Sequence, residues 1–156
     1  MRRSADRARA LNHLRSLPPL RGATDMELAR VDRLTYEADV SPGSVVTKEG
    51  ESSRGFFLIV TGRALVTVAG LERDVLERGM FFGETALLDG APEPATVTAL
   101  TPMRLRVANR KEFTQLSQVR PLARAMLEML AAQQRRSYVD GVARLTEQPT
   151  RISRSR

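Results

Sequence analysis

The apolar positions of the chain change period twice. From Ala5 to Leu17, Ala8, Leu11, Leu14 and Leu17 recur at three-residue spacing, which predicts a helix with one apolar stripe, ended by Pro18 and Pro19. Thr24 followed by Glu27 has the form of a capping box, and Met26, Leu28, Val31 and Leu34 supply the apolar positions of a second helix over TDMELARVDRL. The period then becomes that of strands. Segments rich in β-branched residues run through 35–40, 44–48, 56–61, 63–69, 73–77, 95–100 and 103–108, broken by SPG, EGE, TG, AG, RG and TP. Short strands with turn glycines at Gly43, Gly50, Gly62, Gly70 and Gly79 predict a compact β-roll or jelly roll.

Helical spacing returns at the C-terminal side. Asn109 with Glu112 is a second capping-box-like start, leading into RKEFTQL, and Pro121 suits the first position of a longer helix. Leu122, Ala125, Met126, Met129, Leu130 and Gln133 form one band on that helix. Its methionines suit an adaptable groove or, more simply, core or dimer packing. Past Arg144, EQPTRISRSR carries no hydrophobic pattern and is expected to fray. There is no internal repeat.

Composition narrows the chemistry. A chain of 156 residues is enough for one domain with a real core, and no apolar run approaches the roughly 18 residues a membrane span needs. The start MRRSADRARALNHL has no apolar signal core, so a cytoplasmic location is expected. Cysteine is absent, which removes disulfides, thiolate nucleophiles and sulfur-bound metals, and the single histidine, His13, excludes a multi-histidine metal site.

The net charge of +7 sits at the ends. Residues 1–15 and 133–156 together carry eleven arginines and three acids, whereas 16–132 is close to neutral. Basic ends of this kind meet an anionic partner such as nucleic acid, a membrane surface or an acidic protein. The alternative is plain solvation in an arginine-rich chain, since only two lysines stand against twenty-three arginines.

The stretch FFGETALLDGAPEPATV, 81–97, carries the candidate site. A glycine turn leads into a short apolar helix whose free N–H groups would suit an anion. Pro92 and Pro94, however, have no N–H to give, and Glu93 between them is negative.

Helix, β-roll and long C-terminal helix in that order, with GFFLIVTGRALV (55–66), RGMFFGETALLDGAP (78–92) and ATVTAL (95–100), resemble the cyclic-nucleotide-binding domain of catabolite activator protein, protein kinase A regulatory subunits and gated channels. The resemblance covers roughly 17–132. It implies an α+β fold: an eight-stranded β-roll or jelly roll flanked by N-terminal helices and a long C-terminal helix. Three regions follow, a basic N-terminal helix over 1–17, the β-roll with its flanking helices over 18–138, and a basic tail over 139–156.

The resemblance also implies a phosphate-binding cassette at Gly83, Glu84, Thr85 and Ala86, continued by Glu93, Pro94, Ala95 and Thr96. In relatives the position of Glu84 accepts from a ribose 2′-hydroxyl, an arginine holds the cyclic phosphate and the following residue offers its amide. Glu93 and Pro94 occupy those last two positions here. Arg54, Arg63 and Arg73 are the candidate replacement cations. Alternatively, a proton or a neutral ligand replaces the anion, Glu93 pairs with a basic partner group, or it faces water on an exposed loop. Glu84 can simply stabilise a helix start, and Thr85 and Thr96 can simply close turns.

The expected function is a regulatory or scaffolding module whose cyclic nucleotide binding is weak or lost, working through another protein. The alternative is a cyclic AMP sensor that signals through its C-terminal helix, with cyclic AMP as the candidate ligand and a homodimer through 121–138 as a candidate assembly. A transcription factor is the third reading. Only 24 residues follow Ala132, too few for a helix-turn-helix, so sequence-specific DNA binding is not expected. No cofactor, metal or catalytic residue is expected: Glu84 and Glu93 form the one acid pair near the pocket, and nothing supplies a nucleophile.

Overall fold

The computed structural model describes the backbone of residues 2–147 and the side chains of 3–144. It forms two compact units, 1–123 and 124–156, the second described here through residue 147. The first unit opens with α1, Arg2–Arg15, and a single 3-10 turn at Pro18–Leu20. Helix α2, Asp25–Leu34, starts where the sequence predicts, because the Thr24 hydroxyl accepts from the Glu27 amide at 3.1 Å. Leu28, Val31 and Leu34 form its buried face. Met26 was expected on that face and is instead 82% exposed, since it stands in the first turn on the opposite side of the helix from Leu28.

Eight strands follow: β1 Tyr36–Val40, β2 Val45–Thr47, β3 Phe56–Thr61, β4 Ala64–Val68, β5 Leu71–Leu76, β6 Phe81–Phe82, β7 Thr96–Ala99 and β8 Met103–Ala108. They make two four-stranded antiparallel sheets, in the orders β1-β8-β3-β6 and β2-β7-β4-β5. Strand β6 escapes the sequence pattern because two residues show no alternation. It exists because Phe57 and Leu58 pair with Phe82 and Phe81. Strand β5 begins at Leu71, directly after the Ala69–Gly70 turn, rather than at 73.

Phe57, Ile59, Phe82, Val97, Leu105 and Val107 meet in the roll interior. The other face of β3 is also buried, which explains its unbroken apolar run. There Phe56 packs against Phe81 and against Phe113 of α4, Arg110–Leu116, at ring separations of 5.6 and 5.4 Å. The Asn109 side chain caps α4 by accepting from the Glu112 amide at 3.1 Å.

One charged side chain ties helix to sheet. Arg106 of β8 is buried; it donates to the Thr35 hydroxyl at 2.9 Å, the Asp32 carboxylate at 2.8 Å and the Asp32 carbonyl at 3.0 Å. A long helix, α5, runs Arg120–Glu147, with Pro121 in its second position. Within it Leu122 and Met126 are buried, Ala125, Met129 and Leu130 half-buried, and Gln133 exposed. Helix therefore continues across 139–147, where the sequence reading places a tail; 148–156 lie outside the described residues. Among the described residues no helix is long and apolar enough to cross a membrane.

Candidate functional site

The cassette begins at a backbone turn that only glycine fits. Gly83 has φ 88° and caps α3, Glu84–Asp89. A Cβ there would run into the Gly55 carbonyl oxygen and stand 3.1 Å from the Phe57 ring. The space a side chain would need at Gly83 is thus taken by the residue just before β3. At the other end of α3 the Gly90 amide donates to the Ala86 carbonyl at 3.1 Å.

The segment after α3 is laced to the turn between β2 and β3. The Glu93 amide donates to the Glu51 carbonyl at 2.8 Å, and the Gly50 amide to the Glu93 carbonyl at 2.9 Å. The Thr96 hydroxyl accepts from the Glu49 amide at 3.0 Å, so Thr96 closes this turn. Pro94 is exposed and Ala95 half-buried. The Glu93 backbone is thus held on both sides, and its side chain is buried.

Glu93 is 4% exposed, which overturns the reading of a carboxylate waving in water. Glu84 is 3% exposed. Glu84 accepts from the Thr85 hydroxyl at 3.2 Å through Oε1, and its Oε2 has no partner. Glu93 accepts from the Ser53 hydroxyl, and its Oε1 has no partner.

Burial pushes both carboxyls above the usual range, and for Glu93 the charge of Glu84 adds to the push. The cassette therefore gathers Gly83, Glu84, Thr85 and Ala86 with Glu93. Its electrostatic character is set by two buried carboxyl groups, the charge of Glu84 being felt at Glu93.

None of the candidate cations answers them. Arg54 pairs with Glu51 at 3.2 Å, and Arg63 and Arg73 are exposed. Among the described residues no ion pair forms on Glu84 or Glu93. The sequence reading missed Ser53; the SSRG turn drew attention only through its arginine.

A two-sheet antiparallel roll with a glycine-started helical cassette defines the class of fold: a β-roll flanked by helices. The family model described as "Cyclic nucleotide-binding domain" matches residues 37–120, and the chain belongs to that family. Among curated relatives, the cAMP-dependent protein kinase regulatory subunit of Pyricularia oryzae is 33% identical over 116 residues, covering 72% of this chain and 30% of the relative. The chain thus spans under a third of that protein.

Among solved structures, PKAR CBD2 with Sp-2Cl-cAMPS bound superposes with a TM-score of 0.71 at 23% identity, covering 94% of this chain and 96% of that one. The regulatory subunit of a cAMP-independent protein kinase A from Trypanosoma brucei gives 0.74 at 20% identity, over 88% of this chain and 50% of that one. At these identities the two structures establish the fold.

Proposed function

We propose that this chain is a regulatory or scaffolding module of the cyclic nucleotide-binding fold whose pocket has lost tight binding of the anionic cyclic nucleotide. The observation that carries the reading is the burial of Glu93, beside Glu84 and with no cation on either, at the position where the family resemblance calls for arginine. A missing guanidinium and a missing amide at Pro94 together remove about 3–5 kcal/mol of charge-assisted hydrogen bonding. A carboxylate ~5 Å from a phosphate costs about 1–3 kcal/mol more at an effective dielectric of 20–80. The combined effect is a loss on the order of 10³ or more in affinity.

With the pocket discounted, the module acts through protein contacts. Supporting this are the matches to chains named as kinase regulatory subunits and the two basic ends. The second reading, a working cyclic AMP sensor, is favoured by one feature, the intact Gly83–Glu84 start of α3. Isothermal titration of the chain with cyclic AMP and cyclic GMP at neutral pH separates the two. The proposal expects no saturation below millimolar nucleotide, and saturation at low micromolar nucleotide overturns it.

A further inference from the structure

The two sheets end in four edge strands, β1, β6, β2 and β5. An edge strand leaves backbone N–H and C=O groups on its outer side, and short length or a bulge is a usual way of closing it. Strand β6 has two residues and β2 three, with a register shift between Val45 and Thr47. Strand β5 is longer but bulged: Val66 and Thr67 of β4 pair with Asp74 and Glu72, which leaves Arg73 as the extra residue. Strand β1 is neither bulged nor cut to a stub. Tyr36–Val40 pairs with β8 in unbroken register, and among the described residues no strand lies on its other side.

The side chains of β1 define what can pair with it. Tyr36, Ala38 and Val40 share one face, where Ala38 and Val40 pack against the roll interior and Tyr36 is exposed. Glu37 and Asp39 share the other face and are both exposed. In the register with β8 they stand opposite Arg106 and Arg104, and Asp39 pairs with Arg104 at 3.1 Å. The rows across the sheet therefore run basic on β8 and acidic on β1. A basic row fits next, because opposite charges on facing residues stabilise a strand pair and like charges oppose it. The same rule turns away a second copy, since two β1 strands paired antiparallel about Ala38 set Glu37 against Asp39.

The two acids do not contribute equally. Asp6, Arg9 and His13 of α1 share a hollow with Glu37, so part of its charge is already answered. The Asp39 side chain is 77% exposed against 58% for Glu37, and a carboxylate has acceptor sites to spare beyond its one bond to Arg104. Where β1 ends, Val40, Pro42, Thr61 and Met103 line a groove with room for a side chain at the end of an added strand.

We infer that the outer edge of β1 receives an extended segment of a partner protein, alternating basic and apolar residues, as a fifth strand of the sheet. The backbone of the segment bonds to β1, its apolar residues continue the row of Tyr36, Ala38 and Val40, and a basic residue meets Asp39. The inference rests on the reading that the module acts through protein contacts, and it names the contact; the state of the cassette does not enter it.

The test is titration of the full chain with a heptapeptide of alternating lysine and valine and with its glutamate counterpart, read by calorimetry and by amide NMR shifts. The lysine peptide is expected to bind about tenfold or more tighter than the glutamate one and to shift the amides of Tyr36–Val40. Unspecific attraction to a chain of net charge +7 has the opposite preference. An added strand turns the amides of every second residue to its neighbour. Methylating the backbone nitrogens of the lysines alone, or of the valines alone, should therefore abolish binding in one case and spare it in the other.

Asp39→Lys should weaken the lysine peptide about tenfold while the thermal melt shows a folded protein, and Asp39→Asn should weaken it by a smaller step. Binding indifferent to both variants or to both methylations overturns the inference, as does a preference for the glutamate peptide or no binding at about 1 mM. A dimer of the chain that the lysine peptide disperses overturns it by making the occupant a second copy. Binding that emerges only once residues 148–156 are removed overturns it by assigning the edge to the chain's own arginine-rich end. Each of these failures leaves the cyclic AMP titration, and with it the proposed loss of nucleotide binding, undisturbed.

Discussion

Replacing Glu93 with glutamine removes a buried carboxyl while keeping its shape, and it is expected to stabilise the protein at neutral pH. Glu93 is 4% exposed, its Oε1 has no partner, and the charge of Glu84 disfavours its ionised form. Leaving a buried acceptor unpaired costs about 1–3 kcal/mol. The glutamine carbonyl can still accept from Ser53, and the neutral amide removes the charge that Glu84 opposes.

At roughly 2–4 °C per kcal/mol for a chain of this size, the melting temperature of Glu93→Gln should rise by about 2–12 °C at pH 7.5. The gain has a pH signature. Both carboxyls are raised in the folded state, so the folded protein binds protons more tightly than the unfolded chain. Stability of the wild type therefore falls as pH rises from the unfolded carboxyl range, near 4.5, through the raised folded values, and is level above them. Wild type and variant should converge towards pH 4 and diverge as pH rises. Thermal melts in steps between pH 4 and 8 read this directly. An unchanged or lowered melting temperature at pH 7.5, or a difference that does not vary with pH, refutes the reasoning.

Arg106→Ala removes the bonds from β8 to Thr35 and Asp32 and leaves a cavity. Because Asp32 is partly open to water, the expected loss in urea unfolding is about 2–4 kcal/mol, with Arg106→Lys recovering less than half. The double variant Glu93→Arg with Pro94→Ala restores a cation and an amide and should bind cyclic AMP about a hundredfold or more tighter than wild type in a calorimetric titration; a variant that folds and binds no better shows that something other than the lost clamp blocks the pocket.

The sequence carries the fold because its signals are local. Thr24 and Asn109 cap helices through side chains that need only their own backbone, and the turn glycines punctuate the strands wherever tertiary packing puts them. Strand β6 shows the limit: Phe81 and Phe82 become a strand only because Phe57 and Leu58 lie beside them. Met26 shows another, since spacing alone cannot say which way an extra apolar residue in a first turn faces.

The identity of the cassette residues was legible and their burial was not. Nothing in GAPEPATV says that Glu93 is buried; its segment is bonded to Gly50 and Glu51, more than forty positions earlier in the chain, a pairing that exists only in the folded roll. The same distance hides Ser53, whose hydroxyl meets Glu93 only in the folded roll.

The central claim is that the carboxyl pair keeps the cyclic phosphate out, and titration of the wild-type chain with cyclic AMP at two pH values tests it most directly. The account predicts no saturation below millimolar ligand at pH 7.5, and tighter binding as the pH is lowered, because protons taken up by the raised carboxyls of Glu84 and Glu93 cancel the repulsion. Low-micromolar binding at pH 7.5, unchanged at lower pH, would contradict it.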